Sequence, residues 1–359
     1  MPKIKIMQLI PTLGLGGAER VVVDLAKNLD REKFSVKVVC LKSLGELAAD
    51  LSAAGISVEL LGRPSAPIIF SFFKLIKFLK RERPDIVHTH LFGADFYGRL
   101  AARLAGIKII VSTEHNLNFA EGFLKKIAKS ATGRLAAVIV AVSSAVKDYL
   151  IKKEGISANK IKVIYNGVAA EKFLYPERNY QRAGTLTIGA IGRLTRQKGF
   201  DYLIKAVAQV NGDWQCLIAG DGEEKEKLFG LIKSLSLENK IKLIGWEKNT
   251  PEFLKKLDIF VLPSRWEGLG IVILEAGASG LPVIASNIDG IKELISDNQD
   301  GLLFPGGDET KLAEKIKFLL EQPAERKRLG ENLRQKVNAN FSAKKMTAEY
   351  EQLYLKILA

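Results

Sequence analysis

The chain has 359 residues, 47% of them hydrophobic and 26% charged, with 54 Lys+Arg against 40 Asp+Glu and a formal net charge of +14. This is the composition of a soluble globular protein, and it excludes a disordered or collagen-like chain. The length predicts roughly two domains, each able to bury its own core without disulfide or metal staples.

Cys40 and Cys216 lie in separate apolar runs, which fits a reducing cytosol better than a disulfide framework. No uncharged run exceeds 13 residues, so no segment is expected to cross a bilayer as a helix. Lys3 and Lys5 followed by apolar residues superficially resemble a signal peptide. Pro11 and three glycines interrupt that stretch, and it reads instead as a first β-strand. The charge is lopsided: residues 1–180 hold 28 Lys+Arg and 16 Asp+Glu, a net of +12, whereas 181–359 net only +2. A basic excess confined to one half points to an anionic partner for that half.

Strands are predicted at 4–10, 36–41, 57–61, 85–89, 108–113, 137–142 and 162–165. Helical patterns lie between them at 17–30, 44–55, 67–83, 94–106, 119–132 and 143–154. Strands separated by amphipathic helices make βαβ units and a parallel sheet. The alternation restarts with strands at 185–191, 214–219, 241–244, 259–262, 282–285 and 301–304. Helices are predicted at 199–210, 223–236, 251–257, 270–280, 290–296 and 308–321, and the tail 323–358 reads as helical throughout. The expected class is α/β, with two tandem doubly wound domains whose carboxyl strand edges face a cleft. The boundaries are an N-terminal domain 1–170, a linker 171–184, a second domain 185–340 and a C-terminal helix 341–359 packing back on the first domain.

The segment from Pro263 to Ala276, Pro-Ser-Arg-Trp-Glu-Gly-Leu-Gly-Ile-Val-Ile-Leu-Glu-Ala, follows an apolar strand. Glu275 is the only charged residue between Gly268 and Ser286, and a carboxylate in so apolar a run is costly to bury without a partner. Gly268 and Gly270 would let a phosphate approach the backbone at a helix N-terminus, with Glu275 and Glu267 accepting hydrogen bonds from sugar hydroxyls. The competing reading is a helix that simply exposes Glu275 to solvent.

Gly192-Arg-Leu-Thr-Arg-Gln-Lys-Gly199 stands between a strand and a helix. Arg193 and Lys198 there would clamp a diphosphate and stabilise its charge as it leaves; the alternative is a solvated basic turn. Gly14-Leu-Gly16-Gly17-Ala-Glu19 follows the first strand but lacks the third glycine of a dinucleotide fingerprint, and strand two ends without an acid for a ribose. A nicotinamide cofactor is not expected. The three histidines, His88, His90 and His115, each sit at or just past a predicted strand end. No Cys or carboxylate spacing beside them supports zinc; His115 is the functional candidate, and His88 is expected to pack inside.

Glu267-x7-Glu275 within Glu-Gly-Leu-Gly…Glu-Ala…Gly-Leu-Pro-Val-Ile resembles the signature of the retaining glycosyltransferases of family GT4. Gly192-Arg-Leu…Gln-Lys-Gly199, Asn166-Gly167-Val168, Gly220-Asp221-Gly222 and Gly16-Gly17 are similar to that family's motifs, in the same order, over essentially the whole chain. The resemblance implies a GT-B fold of two Rossmann-like domains, with a nucleotide-sugar (UDP or GDP type) as substrate rather than cofactor and no metal required. It implies that Arg193 and Lys198 bind the donor diphosphate, Glu275 the ribose and Glu267 the donor sugar. Backbone N–H groups of Leu269, Gly270 and Ile271 would complete a phosphate cradle. Gly16 and Gly17 would approach the diphosphate and sugar, and His115 would lie near the reacting carbon. Two positions depart from the pattern: Ala169 stands where an Asp usually follows Val168, and Asp289-Gly290-Ile291 replaces a glycine pair.

Residues 68–83 combine four phenylalanines and several aliphatics with Lys74, Lys77, Lys80, Arg81 and Arg83; 122–129 repeats the theme. Such a helix fits either an anionic membrane surface or an ordinary crossover helix with solvated lysines. Nucleic acid is not an expected partner, since no binding motif or aromatic platform is present. The sequence therefore predicts a retaining glycosyltransferase acting on a sugar or lipid-linked acceptor in cell-envelope polysaccharide or glycolipid synthesis. Its expected place is cytoplasmic, peripheral on the inner face of the membrane. The alternatives are a GT-B nucleotide-sugar epimerase and a non-catalytic sugar-nucleotide or membrane-binding protein.

Overall fold

A computed structural model of the protein describes residues 2–62, 68–117, 122–173, 178–181 and 184–359, apart from the side chains of 68–70 and 123–127. The chain forms two compact units, Met1–Gly167 with Ala343–Ala359, and Val168–Ser342.

The first unit contains β1 (Ile4–Ile10), β2 (Phe34–Cys40), β3 (Ser57–Leu60), β4 (Ile86–His90), β5 (Ile109–Glu114), β6 (Val138–Ala141) and β7 (Ile161–Val163). They make one parallel sheet in the order β3-β2-β1-β4-β5-β6-β7. The second unit contains β8 (Leu186–Ile191), β9 (Trp214–Ala219), β10 (Ile241–Gly245), β11 (Ile259–Leu262), β12 (Val283–Ser286) and β13 (Leu302–Phe304). Their order is β10-β9-β8-β11-β12-β13, again all parallel. The central strands are almost wholly buried because helices cover both faces; all five residues of β4 and all four of β11 are buried. In each sheet the winding reverses once, between β1 and β4 in the first and between β8 and β11 in the second. Such reversal points are where open α/β sheets accept ligands, outside the carboxyl ends of the strands.

The expected strands all occur, each within two residues of its predicted ends. One helical expectation does not hold, and the helical tail is interrupted once. Residues 290–296 form successive turns, in which Ile291 donates to Ile288 O (3.2 Å) and Leu294 to Ile291 O (2.9 Å). Ile291, Leu294 and Ile295 are buried at the spacing a helix would also give. The tail is two helices, Pro323–Asn340 and Ala343–Leu358. It breaks where Phe341 O accepts from Val168 N–H (2.9 Å) and Ser342 bridges to Val168. The second of these helices belongs to the first unit.

Helix Ile68–Glu82 packs Leu75, Phe78 and Leu79 into the core, and Phe72 and Ile76 lean against it. Phe73 is 70% exposed, and the lysines and arginines of the helix also face solvent or its margin. In helix Phe123–Gly133, Lys129 is not a surface cation. It is buried between Glu114 (2.6 Å) and Glu154 (2.9 Å), and the remaining basic residues expected there, Lys125 and Lys126, lie outside the described side chains. No helix among the described residues is long and apolar enough to cross a membrane.

Candidate functional site

In the second unit, two loops leave the sheet side by side at the reversal: 192–199 after β8 and 263–270 after β11. Gly199 adopts φ +63°, and a Cβ there would lie 2.2 Å from Pro263 O, so only glycine lets the loops touch. Arg265 N–H donates to Gln197 O (2.7 Å), and Gln197 Nε2 donates to Trp266 O (3.0 Å). The Arg265 guanidinium donates to both oxygens of Asp201 (2.8 and 2.7 Å) and lies 4.1 Å over the Tyr202 ring. Burial would raise the Asp201 carboxyl, but the Arg265 hydrogen bonds outweigh it and hold it below its ordinary value.

On this braced platform Lys198 Nζ sits 2.5 Å from Glu267 Oε1, which also accepts from Ser264 Oγ (2.7 Å). Arg193 projects into solvent, and its guanidinium has no partner among the described residues. Leu194 beside it is fully buried and tied to the 220–222 turn, donating to Asp221 O (2.9 Å) and accepting from Glu224 N–H (2.9 Å). Gly270, at φ +69°, caps helix Ile271–Ala278. The backbone N–H groups of Leu269, Gly270 and Ile271 have no acceptor among the described residues. Those of Gly270 and Ile271 are orphan donors of a helix start, and with that of Leu269 just before them they suit an anion. Glu275 is buried on this helix, 4% exposed, which rules out the solvent-facing alternative. Gly290, φ +86°, packs so closely on the 267–268 backbone that a Cβ would meet Glu267 O at 2.6 Å. The Asp-Gly departure thus keeps the one glycine that this contact demands.

In the first unit, the polar groups collect at the carboxyl ends of β1, β4 and β5. Gly16 caps helix Gly17–Asn28, and its carbonyl accepts from Arg20 N–H (3.1 Å). A Cβ on Gly16 would run into the Glu19 carboxylate at 2.2 Å. The three histidines form one buried cluster. His88 Nδ1 meets Tyr354 OH (2.7 Å), and its Nε2 meets Thr113 Oγ1 (2.8 Å), which in turn bonds Tyr350 OH (2.9 Å). His90 Nε2 bonds Gln8 Oε1 (2.6 Å), and His90 Nδ1 bonds His115 Nε2 (3.1 Å). Burial pushes His88 down to about 3 and lowers His90; it brings His115 to about 4 against the opposing pull of Glu114. All three rings are therefore neutral at physiological pH. Glu114 is held ionised by Lys129, which outweighs the effect of burial.

The cross-brace of Arg265, Asp201, Tyr202 and Gln197 was not foreseen in the sequence, nor were the tyrosines beneath the histidines. Arg265 stands two residues before Glu267, yet nothing local marks Asp201 as its partner. Tyr350 and Tyr354 at i, i+4 show only that they share a helix face.

Family models match nearly the whole chain in two parts: Glycosyltransferase Family 4 over residues 15–172 and Glycosyl transferases group 1 over 175–336. An Escherichia coli protein named UDP-Gal:alpha-D-GlcNAc-diphosphoundecaprenol alpha-1,3-galactosyltransferase is 32% identical, covering 98% of this chain and 97% of that protein. The chain belongs to glycosyltransferase family 4. A Campylobacter jejuni relative, named N-acetylgalactosamine-N,N'-diacetylbacillosaminyl-diphospho-undecaprenol 4-alpha-N-acetylgalactosaminyltransferase, is 28% identical over 89% of this chain and 90% of its own length. Among solved structures, Anabaena HepE in complex with UDP and glucose aligns with a TM-score of 0.88 at 24% identity, covering 98% of this chain and all of that one. A Rickettsia africae glycosyltransferase aligns at 0.83 with 26% identity, over the whole of this chain and 99% of that one. This glycosyltransferase has the GT-B fold.

Proposed function

We propose that this glycosyltransferase moves a hexosyl group from a UDP-sugar to a diphosphate-linked lipid acceptor in envelope polysaccharide or glycolipid synthesis, with retention at the anomeric carbon. The observation that carries the reading is the braced pair of loops at the β8/β11 reversal, which presents Arg193, Lys198 and the unpaired N–H groups of Leu269, Gly270 and Ile271 on one edge. In this proposal the two cations and the helix N-terminus bind the diphosphate and stabilise the charge that grows as it leaves. Glu275 accepts from the ribose hydroxyls and Glu267 from the donor sugar; Gly16, Gly17 and His115 are proposed as further donor-binding residues. The preference for UDP over GDP, and for a lipid diphosphate, is supported by the name of the E. coli relative.

The proposed charge stabilisation uses protein cations alone, so turnover should be unchanged by EDTA. A thermal-shift panel of UDP, GDP, ADP and their sugars tests the donor site: UDP compounds should raise the melting temperature, and stabilisation by none of the panel would overturn it. The lysines and Phe73 on helix Ile68–Glu82 support a proposed peripheral contact with an anionic membrane. Co-sedimentation should require anionic lipid and weaken with salt; equal binding to neutral vesicles would refute it.

A further inference from the structure

The histidine cluster carries an ordering of protons that reaches the candidate site. Gln8 Oε1 is a carbonyl oxygen and accepts only, so at 2.6 Å the hydrogen lies on His90 Nε2. A neutral imidazole carries one N–H, which leaves His90 Nδ1 as a bare acceptor. At 3.1 Å from it, His115 must donate from Nε2. His115 Nδ1 is then the bare nitrogen, and it is buried with no partner, on a residue 7% exposed. An unpartnered acceptor at that depth is costly unless something outside the described residues bonds it.

We propose that Gln8 and His90 are positioning residues that set the tautomer of His115, so that its Nδ1 lone pair is left to accept from a sugar hydroxyl. The direction of the chain is set at Gln8 on β1, passes through His90 at the end of β4 and ends on His115 just past β5, spanning the three strands around the reversal of the first sheet. His88 serves as the backing: its ring centroid lies 4.1 Å from that of His90 at a 40° tilt, and both of its nitrogens are held by Tyr354 and Thr113. Leu91, immediately after His90, takes a left-handed φ of +67°, which turns the chain sharply into helix Leu91–Leu104 and fixes where the His90 ring begins. The inference rests on the donor-binding role proposed for His115. A reversed proton order would present an N–H at Nδ1, to which a sugar hydroxyl could only act as acceptor.

The chain has three histidines, so their side-chain nitrogens can be resolved by 15N NMR on the full-length protein. At neutral pH and without added donor, His115 should show a protonated Nε2 and an unprotonated Nδ1. His90→Leu removes the acceptor, so the His115 tautomer should shift and kcat should fall of order tenfold to a hundredfold with little change in donor KM. His90→Asn returns an amide oxygen to the Nδ1 position and should restore both the tautomer and kcat. If His90→Leu does not fold, Gln8→Leu makes the same test from the other end of the chain. A wild-type His115 protonated on Nδ1, or an unchanged tautomer in the folded Leu variants, overturns the proposal. His115→Ala separates this from the functional reading: undiminished transfer by that variant would remove the sugar contact while leaving the tautomer result intact.

Discussion

Lys198 Nζ lies 2.5 Å from Glu267 Oε1, joining the loop after β8 to the loop after β11 through a pair that is mostly buried. Two side chains expected to contact different parts of a donor are thus held by each other, and each sets where the other stands. Removing either leaves the other charge partly buried and short of a partner. Lys198→Ala should lower transfer by roughly a hundredfold or more, the scale of losing one charge stabiliser at a leaving group. Glu267→Ala should also release Lys198, so the double variant should lose much less than the sum of the singles. A double-mutant cycle on kcat/KM checks this, and additivity would show that the pair does not act as a unit.

Gly199 and Gly230 make a matched pair of substitutions. A methyl at Gly199 meets Pro263 O at 2.2 Å and must adopt φ +63°, so Gly199→Ala should cost about 1–3 kcal/mol and impair donor binding. Gly230 sits in helix Lys225–Ser234 with nothing within 4 Å of an added Cβ. Gly230→Ala should therefore stabilise by about 0.5–1 kcal/mol with activity unchanged. Urea denaturation of both variants reads the difference in sign.

Arg265 is the main strut of the platform, bound to Asp201 at two oxygens and stacked on Tyr202. Arg265→Lys keeps the charge but loses the planar fork and the stacking. It should raise donor KM at least severalfold by loosening the loops, although Arg265 itself is assigned no donor contact. Steady-state kinetics with varied donor concentration would reveal it, and a wild-type KM would show that the brace is dispensable.

The neutral histidines make stability depend on acid. Burial lowers the folded pKa of His88 to about 3 and of His115 to about 4, whereas the unfolded chain titrates near its ordinary 6.5. Between those values the unfolded state binds more protons, so stability is full above about 6.5 and falls as pH drops toward 4. The slope contributed by each histidine is at most about 1.4 kcal/mol per pH unit. Thermal melts from pH 7.5 to 4.5 should show a steeper loss for wild type than for His88→Gln; equal slopes would mean that His88 does not titrate on unfolding.

Period and composition made the architecture legible, because each strand is a short β-branched run bounded by turn residues and each crossover is amphipathic. The same apolar spacing misled at 290–296, where turns bury Ile291, Leu294 and Ile295 as a helix would. The candidate residues Arg193, Lys198, Glu267 and Glu275 stood out because charge is conspicuous beside glycine and apolar sequence. Long-range partners leave no local trace: Arg265 is 64 residues from Asp201, and His88 is 266 from Tyr354. Lys129 shows the limit of reading charge as surface, since its two carboxylate partners lie 15 and 25 residues away and meet it only in the fold.

The most direct test of the central claim is transfer of radiolabelled sugar from UDP-sugars to a diphosphate-linked polyprenyl acceptor, comparing the wild-type chain with Lys198→Ala and Arg193→Ala. The account predicts a labelled lipid product with the anomeric configuration of the donor, abolished or reduced at least a hundredfold in both variants, while the melting temperature of Arg193→Ala, whose side chain is exposed and without a partner among the described residues, stays near wild type. Transfer that is unaffected by either substitution, or a product of inverted configuration, would contradict it.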